Sequence, residues 1–430
     1  MKNKPLVSIV TLGCKVNTYE SEAVASLLEK NGYTVLSGLV FADIYIINTC
    51  AVTNEAERKS RGQIAKVLTL NPDAEIYVCG CSAQNDPTKF VNKNNVVYVM
   101  GTSNKVKIAN LIMQKEKANE QGYENQIATQ YEDIYDTKHT RARATIKIQD
   151  GCNNFCTYCL IPYLRGRERS RSLESIKAEI DRLEKTTAEI VLTGINMSSY
   201  GSDFKEKKLG LIDVCELFKG RSVKFRISSL EVNVITKDFL ERLKRLDSFQ
   251  PHFHLSIQSG CDNVLTKMNR KYTASEYLSK VALIRKYFPD AGITTDVIVA
   301  FPTETNSDFE ETFETCKNAK FLWMHVFPYS KRDGTVAAKF KNINDGNVSK
   351  ERVKMLTELA KISREEFICE RIGREYEAIV EQEKDGIYIA HTPNFIKCYF
   401  ESNERLSAND KVVLKIQKTQ NDGAKCVKIG

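Results

Sequence analysis

Residues 151–159 read Gly151-Cys152-Asn153-Asn154-Phe155-Cys156-Thr157-Tyr158-Cys159, a stretch with three thiols within eight residues. Just upstream, apolar and polar side chains alternate over Ala144–Ile148, which predicts a β-strand. The glycine and the two asparagines then predict a turn. The thiols are therefore expected on a loop at the carboxyl end of a strand, where α/β folds place their chemistry.

Three close thiolates suit an iron–sulfur cluster, because cysteine sulfur is its usual ligand. Three cysteines also leave one iron of a 4Fe–4S cluster without a protein ligand. A structural zinc site would need four closed ligands, and no fourth Cys or His lies nearby in sequence. The alternatives are three core thiols or a zinc knuckle, although ordinary core cysteines do not gather on a turn.

Composition limits the class of protein. At 430 residues, with 42% hydrophobic and 27% charged residues, the chain is expected to form two or three globular domains. No apolar run is long enough to span a bilayer, and the N-terminal residues do not match a signal peptide. Thirteen cysteines, an odd number, do not suit a disulfide framework and favour a reducing cytoplasm. The net charge of +8 permits a nucleic-acid partner without selecting one.

The N-terminal third alternates predicted strands with predicted helices. The strands are Pro5–Thr11, Ile44–Asn48 and Glu75–Val78, and the helices are Tyr19–Lys30 and Glu55–Leu70. This alternation predicts a parallel α/β sheet.

Cys14, Cys50 and Cys81 each come just after one of these strands. Because the carboxyl ends of parallel strands meet at one edge of a sheet, these thiols are expected to converge there. They form a second candidate three-thiolate site. The alternative is three buried small hydrophobic residues, a common role for cysteine. Cys79 is interpreted as a core residue.

The central part of the chain predicts a partial barrel. Strands are predicted at Ala144–Ile148, Ala188–Leu192, Phe225–Ile227, His252–Ile257, Thr294–Val299 and Trp323–Phe327. Six parallel strands with helices between them favour a barrel with active residues at the carboxyl ends of the strands. The preceding residues 114–141 are rich in Lys, Glu, Gln and Asn and predict an extended connector.

After a predicted helix at Ser349–Arg371, short strands with polar turns predict a small antiparallel β-barrel. Basic and aromatic residues are interleaved there, at Tyr388, Phe395, Lys397, Tyr399, Arg405, Lys415 and Lys418. They would suit RNA phosphates and stacked bases, whereas spacing alone favours core aromatics with a solvated charged rim. The predicted domains are residues 1–140, 141–370 and 371–430.

The spacing of Cys152, Cys156 and Cys159 resembles the signature of the radical S-adenosylmethionine (SAM) enzymes. The stretches Thr11–Ser21, Asn48–Thr53 and Gly80–Gln84 look like the N-terminal signatures of the methylthiotransferases, radical SAM enzymes with two 4Fe–4S clusters. The C-terminal barrel looks like the RNA-binding TRAM domain of the same family. The wording Leu-Gly-Cys-Lys-Val-Asn around Cys14 is most similar to the branch that acts on threonylcarbamoyladenosine in tRNA.

The resemblance implies roles for individual residues. One 4Fe–4S cluster would be held by Cys152, Cys156 and Cys159 and the other by Cys14, Cys50 and Cys81, with SAM on the free iron of the first. Contacts to SAM are implied for Tyr158, Gly194, Glu231, Gln258, Ser259 and Asp296. For the four polar strand-end residues among these, a structural hydrogen bond remains an equal alternative. Lys331 and Arg332 could meet the carboxylate of a threonylcarbamoyl group or be solvated surface charges.

The function implied by the resemblance is the transfer of a methylthio group to carbon 2 of threonylcarbamoyladenosine at tRNA position 37. The partners would be the tRNA anticodon stem-loop, an electron donor and a sulfur source, in the cytoplasm and with no membrane. Alternatives are the same chemistry on isopentenyladenosine in tRNA or on an aspartate of a ribosomal protein. A non-catalytic, metal-bearing RNA-binding protein is the alternative from a different class.

Overall fold

The computed structural model describes residues 4–114, 122–134, 142–206 and 208–429. By the contacts between its residues the chain divides into two compact units. The first comprises residues 1–139, 147–175 and 330–338, and the second comprises residues 140–146, 176–329 and 339–430. These units are not consecutive in sequence, so the three predicted domain boundaries stay predictions.

A parallel sheet forms the centre of the first unit. Its strands are β1 (Val7–Thr11), β2 (Val35–Ser37), β3 (Ile44–Thr49), β4 (Glu75–Gly80), β5 (Val96–Met100) and β6 (Gly122–Glu124). The helices of this region are α1 (Lys15–Lys30), α2 (Asn54–Leu70), α3 (Cys81–Asn85) and α4 (Val106–Gln114). Over the described residues the strand order is β2-β1-β3-β4-β5-β6, with every pair parallel. The predicted parallel α/β fold is confirmed.

Burial explains why this sheet forms where the sequence predicts it. All six residues of β3 are buried, as expected for a central parallel strand covered on both faces. The next helix, α2, starts after Thr53, whose hydroxyl accepts a hydrogen bond from the Ala56 N–H. Threonine is a favoured residue at this position because it satisfies a free N–H of the first turn.

The chain then enters the loop that carries the second group of cysteines. The last two residues of β7 (Arg143–Asp150) pair antiparallel with β8 (Arg169–Ser170). Between them lie the cysteine loop and the short helix α5 (Ile161–Leu164).

The second unit continues the alternation of strands and helices. Its elements are α6 (Leu173–Leu183), β9 (Glu189–Gly194), α7 (Leu211–Glu216), β10 (Lys224–Ile227), β11 (Ser229–Leu230), α8 (Lys237–Lys244), β12 (His252–Leu255), α9 (Asp262–Lys267), α10 (Ala274–Tyr287), β13 (Gly292–Val299), α11 (Asn306–Ala319), β14 (Trp323–Pro328) and α12 (Gly346–Cys369). β9 pairs in parallel with β10. β11, β12, β13 and β14 form another parallel sheet in that order. The predicted strands of the partial barrel are therefore all present.

The C-terminal residues form a closed barrel. Its strands are β15 (Glu375–Lys384), β16 (Ile387–His391), β17 (Lys397–Phe400), β18 (Lys411–Gln420) and β19 (Gly423–Lys428), in the order β15-β16-β17-β19-β18. The pairs are antiparallel except β17–β19, which is parallel. The sequence pattern predicts strands at Tyr376–Glu381, Gly386–Ala390, Ile396–Phe400 and Lys411–Lys415, which correspond to β15–β18, and it does not predict β19. Alternate residues such as Leu414 and Ile416 fill the barrel core.

The predicted connector contains a strand. Gly122–Glu124 is β6, the edge strand that pairs with β5, so this part of residues 114–141 belongs to the sheet. Residues 115–121 and 135–141 lie outside the described residues. Among the helices that the structure describes, none has the length and apolar character needed to cross a membrane.

Candidate functional site: two groups of cysteines

The three N-terminal thiols follow three neighbouring strands. β1, β3 and β4 lie side by side and run in the same direction. Cys14 directly precedes α1, Cys50 directly follows β3, and Cys81 is the first residue of α3. The structure thus brings Cys14, Cys50 and Cys81 to one edge of the sheet.

Two glycines permit this close approach. At Gly13 φ is +104°, and a Cβ there would lie 3.0 Å from both Cβ and Sγ of Cys50. At Gly80 φ is +100°, and a Cβ there would lie 2.5 Å from the carbonyl oxygen of Thr49. Only glycine both adopts these backbone angles without strain and leaves this space free.

The three N-terminal thiols differ in their exposure to solvent. Cys50 and Cys81 are buried, whereas Cys14 is exposed. Burial raises the pKa of the Cys50 thiol to about 11, and the neighbouring Cys81 and Cys14 add to the effect. Burial also raises the pKa of Cys81, although the positive charge of Arg165 opposes it. A bound metal would replace these protons, because the thiolate is the form that binds metal.

Cys79 has different surroundings. Its side chain packs with Val7, Ile46 and Ile108 in a hydrophobic cluster, and burial raises the pKa of its thiol to about 11. The structure therefore places Cys79 in the core, as the sequence analysis interprets it. The single cysteines in the rest of the described chain are buried apart from Cys369, namely Cys215, Cys261, Cys316, Cys398 and Cys426.

The loop with the other three cysteines depends on a glycine as well. Gly151 has a φ of +73°, and a Cβ there would collide with the carbonyl oxygen of Arg167. Across the same turn the Cys152 N–H donates to the Gly166 carbonyl oxygen over 3.1 Å. The loop therefore folds back tightly on residues 166–167.

Within the loop, backbone N–H groups point at sulfur. The Asn154 N–H donates to Cys152 Sγ over 3.5 Å, and the Ile161 N–H donates to Cys159 Sγ over 3.4 Å. All three thiols are half-buried. Such N–H···S bonds stabilise thiolates, and hydrogen bonds to sulfur are one way in which proteins tune iron–sulfur clusters.

Both groups of cysteines belong to the first unit. Ala51 and Cys81, from the sheet edge, pack with Leu160 and Leu164, which follow the loop. The Ala337 N–H also donates to the Thr157 carbonyl oxygen over 2.8 Å, so residues 330–338 hold the loop from another side. The two groups of cysteines are thus neighbours within one compact body.

Each group of cysteines offers three thiols and no histidine, a donor set that iron–sulfur clusters use. No group of three or more Cys, His, Asp or Glu side chains among the described residues is arranged to hold one metal ion. A single zinc ion draws its thiolates to about 2.3 Å from one point. A 4Fe–4S cluster binds each thiolate through a different iron, so its cysteines stand farther apart. Three cysteines in each group and the absence of histidine from both agree with cluster chemistry.

The prediction of strand-end positions holds for Gly194, Glu231 and Gln258 but is wrong for Asp296, which lies inside β13. Gly194 ends β9, and Gln258 sits just beyond β12 with a φ of +63°. Glu231 pairs with Arg270 over 3.2 Å. Ser259 is fully buried and shares a 3.1 Å hydrogen bond with Thr312, which supports the structural alternative for this residue. Tyr158, in the first unit, is half-buried.

Asp296 lies on an open face of the second unit. Asp296 on β13 is half-buried and His325 on β14 is exposed, whereas Val297, next to Asp296, is buried. Asp296 binds Nε2 of His254 over 3.1 Å. Burial raises the pKa of Asp296, but the hydrogen bond and charge of His254 outweigh it and keep the pKa below its usual value.

Arg332 is not the solvated charge that the sequence analysis offered as an alternative. It is 4% exposed and pairs with Glu57 over 2.7 Å, while its other nitrogen binds the Asn54 side chain. Its guanidinium is therefore engaged in holding residues 330–338 against α2. Lys331, by contrast, is exposed.

Known families and individual proteins resemble this chain over most of its length. Residues 146–316 match the family described as the radical SAM superfamily, and residues 6–101 match the family described as uncharacterized protein family UPF0004. The chain is 39% identical over 409 residues to the threonylcarbamoyladenosine tRNA methylthiotransferase MtaB of Bacillus subtilis, covering 93% of this chain and 91% of the relative. The chain belongs to the methylthiotransferase family of radical SAM enzymes. Radical SAM enzymes use SAM and a 4Fe–4S cluster.

Further relatives come from two branches of the methylthiotransferases. The MtaB of Thermotoga maritima is 37% identical, with 92% of each chain covered. The tRNA-2-methylthio-N6-dimethylallyladenosine synthase of Thermoanaerobacter sp. is also 37% identical, with 87% of this chain and 81% of the relative covered.

Solved structures share the fold at much lower identity. The radical SAM methyltransferase TsrM from Kitasatospora setae superposes with a TM-score of 0.55 at 12% identity, covering 76% of this methylthiotransferase and 72% of that chain. The cobalamin-dependent SAM radical enzyme OxsB gives a TM-score of 0.53 at 15% identity, covering 81% and 56%. These likenesses concern the fold alone.

Sequence reasoning missed a set of buried charges beside the cysteines. Lys147 stands at a polar position of the alternating β7 pattern, which predicts exposure, yet it is 3% exposed. Its ammonium binds Asp150 over 2.6 Å, and Asp150 in turn binds Arg165. In the sequence, only position connects these residues with the cysteine loop: Asp150 directly precedes Gly151, and Arg165 follows the loop closely.

Proposed function

We propose that this enzyme transfers a methylthio group to carbon 2 of the adenine of N6-threonylcarbamoyladenosine at position 37 of tRNA. The observation that carries the proposal is the pair of three-cysteine groups in one compact unit, at the edge of a parallel sheet and on the adjoining loop. An aromatic carbon–hydrogen bond is inert to ordinary acid–base groups, so cofactor chemistry is required.

The choice of acceptor rests on sequence. Identity alone separates the two tRNA branches by little, since MtaB of Bacillus subtilis is 39% identical and the dimethylallyladenosine enzyme of Thermoanaerobacter sp. 37% identical. The MtaB relative is covered to 91% of its length and the other to 81%. The residues Leu12–Asn17 also resemble the threonylcarbamoyladenosine branch, and together these features favour that acceptor.

Cys152, Cys156 and Cys159 would hold the cluster that binds SAM, and Cys14, Cys50 and Cys81 would hold a second 4Fe–4S cluster. The first cluster would supply one-electron chemistry toward SAM, and the second would supply a site for the transferred sulfur.

The protein's own groups would bind and orient. The N–H groups of Asn154 and Ile161 stabilise the loop thiolates. Contacts to SAM would come from Tyr158, Gly194, Glu231, Gln258 and Asp296. The exposed Lys331 would meet the carboxylate of the threonylcarbamoyl group. Its backbone is fixed, because its carbonyl oxygen accepts a 2.9 Å hydrogen bond from Asn54 Nδ2.

The C-terminal barrel would bind tRNA. Tyr388 is buried, and Phe395 stacks on His252 with ring centroids 4.2 Å apart, so these aromatics belong to the interior. Lysines on the outer face of β18 and β19 are exposed instead, namely Lys411, Lys415, Lys418 and Lys425. Lysines on one outer surface attract the phosphate backbone of a nucleic acid. We therefore assign RNA binding to β18–β19.

The reaction needs an electron donor and a sulfur source from other molecules in the cell. Nucleoside analysis tests the proposal. A strain without this protein should lack 2-methylthio-N6-threonylcarbamoyladenosine in its tRNA and accumulate N6-threonylcarbamoyladenosine, as mass spectrometry would detect. The wild-type gene should restore the product, and the Cys156→Ala and Cys50→Ala variants should not. Loss of the methylthiolated isopentenyladenosine instead would refute the acceptor, and an unchanged tRNA would refute the enzyme.

A further inference from the structure

Five charged side chains are buried together in the first unit. Each is at most 6% exposed, and together they form a charge network of Glu20, Lys105, Lys147, Asp150 and Arg165. Burying a charged side chain away from water costs free energy unless an opposite charge pairs with it. The partners of these five side chains therefore show how their charges are compensated.

Glu20 and Asp150 are the two acceptors of the network. Glu20 receives Arg165 Nη1 over 2.9 Å and Lys147 Nζ over 2.8 Å, and it also binds Lys105. Asp150 receives Arg165 Nη1 over 3.0 Å and Lys147 Nζ over 2.6 Å. Arg165 and Lys147 therefore each bridge both carboxylates.

The network touches both groups of cysteines. Asp150 accepts a 2.7 Å hydrogen bond from the Gly151 N–H, one residue before Cys152. Arg165 Nη2 donates to Asn17 Oδ1 over 2.8 Å, and Asn17 Nδ2 donates to the carbonyl oxygen of Thr49 over 3.0 Å, one residue before Cys50. Arg165 is also close enough to Cys81 for each charge to act on the other.

The charges within the network do not cancel. Three cations face two carboxylates. Arg169 lies 3.8 Å from Asp150, and the half-buried Glu132 is a further carboxyl group in the same field. With these included, four cations stand against three carboxylates among the described residues. The Arg165 Nε–H is in addition buried without an acceptor in the described part of the chain. A positive excess and an unused donor call for an anionic partner.

We propose that Arg165 is a positioning residue whose charge compensates an anionic iron–sulfur cluster bound to Cys14, Cys50 and Cys81. Thiolates make such a cluster anionic, and reduction makes it more so. A buried guanidinium beside Cys81 therefore favours the reduced form, because nearby charge and hydrogen bonds to sulfur set the potential of a cluster. Through Asp150 the same guanidinium also fixes the start of the loop that carries Cys152. This inference rests on the second cluster of the proposed function.

The test isolates that cluster. In the full-length chain, Cys152, Cys156 and Cys159 are replaced by alanine, the protein is reconstituted anaerobically with iron and sulfide, and the midpoint potential is measured by EPR-monitored titration. Arg165→Gln in this background removes one positive charge and should lower the potential. Glu20→Gln removes a negative charge with little change of shape and should raise it. Arg226→Gln is the control, because Arg226 is 3% exposed and pairs with Glu189 over 2.9 Å in the second unit.

Opposite shifts for Arg165→Gln and Glu20→Gln, with no shift for Arg226→Gln, would support the inference. An unchanged potential in Arg165→Gln with its iron retained would overturn it. If Arg165→Gln does not fold, Glu20→Gln decides alone: a raised potential supports the inference, and an unchanged or lowered one refutes it. If the triple-alanine protein itself binds no cluster, the second cluster fails, and with it the sulfur site of the proposed function.

Discussion

The α-carbon of Gly13 faces the side chain of Cys50 so closely that a Cβ on this glycine would lie 3.0 Å from Cys50 Sγ. The residue before Cys14 is therefore a glycine, because a side chain there would crowd the side chain of Cys50. Sheet topology brings these strand ends together, and the missing side chain at Gly13 leaves room for the side chain of Cys50.

If Cys14, Cys50 and Cys81 hold the proposed second cluster, Gly13→Ala should prevent that cluster from binding. The added methyl group crowds the Cys50 thiol, and the left-handed φ adds a strain of about 1 kcal/mol. We expect the reconstituted variant to lose about half of its iron, since one of two clusters would be gone. Gly38→Ala is the matched control, because Gly38 has a φ of +94° but nothing within 4 Å of a new Cβ. Equal iron in both variants would show that crowding at Cys50 does not matter.

Cys79 and Cys81 offer a second comparison, two residues apart. Cys79 packs among Val7 and Ile46 in the sheet core, whereas Cys81 lies with Ala51 and Leu160 near the loop. Cys79→Ala should retain the full iron content and lose about 1 kcal/mol of stability from the small cavity. If Cys81 is a ligand of the proposed second cluster, Cys81→Ala should lose about half of the iron. Iron analysis of the reconstituted proteins measures both, and a loss of iron in Cys79→Ala would identify it as a ligand.

The sequence predicted the strands and the cysteine placement well because both follow from local pattern. Buried strands such as β3 are continuous apolar runs, and each thiol is adjacent to a strand end. The buried charges could not be predicted, because pairing of Lys147 with Glu20 joins residues 127 positions apart. A lysine in an alternating strand looks exposed until its distant partner is known. The same is true of Arg332, whose partner Glu57 is 275 positions away.

Arg332→Ala should affect stability rather than substrate choice. The substitution leaves the buried Glu57 with Lys89 as its remaining cation, 3.0 Å away, and should cost about 3 kcal/mol. Lys331→Ala, at an exposed position, should leave stability unchanged. Thermal unfolding of the two variants measures this difference in stability.

Product analysis separates the two residues further. If Lys331 meets the substrate carboxylate, Lys331→Ala should raise the KM for tRNA with threonylcarbamoyladenosine, whereas the folded fraction of Arg332→Ala should keep the wild-type KM. A raised KM in Arg332→Ala alone would instead assign the carboxylate to this guanidinium.

Glu304 should make stability depend on pH. It is fully buried, and burial raises its pKa to about 7 although Arg352 lies 2.6 Å away. Between its ordinary pKa and about 7 the folded state binds more protons at this group than the unfolded state does. Stability should therefore fall as the pH rises through this window, by up to about 3 kcal/mol.

The chain's single tryptophan, Trp323, reports on the same unit. Urea unfolding followed by its fluorescence at about pH 5 and about pH 8 should show this loss in the parent protein and a smaller one in Glu304→Gln. Glu314→Gln, an exposed position on α11, is the control and should behave like the parent. The same pH dependence in Glu304→Gln and the parent would exclude Glu304 as its source.

The outer lysines of the C-terminal barrel should control tRNA affinity. Lys411, Lys415, Lys418 and Lys425 are exposed on β18 and β19, so a fourfold change to glutamine should weaken binding strongly at low salt. Each phosphate contact that is lost should reduce the slope of log K against log salt by about 1. Fluorescence anisotropy with labelled tRNA over a salt series measures both quantities.

The control replaces Lys177 and Lys317, which are 57% and 60% exposed on helices of the same unit. These substitutions also lower the net positive charge, so they correct for the general attraction of a basic protein to RNA. If the barrel lysines bind phosphates, replacing one of them should reduce the slope of log K against log salt more than replacing one lysine on the helices. Equal losses per lysine would mean that the barrel contributes only its share of the net charge and that the tRNA is held elsewhere.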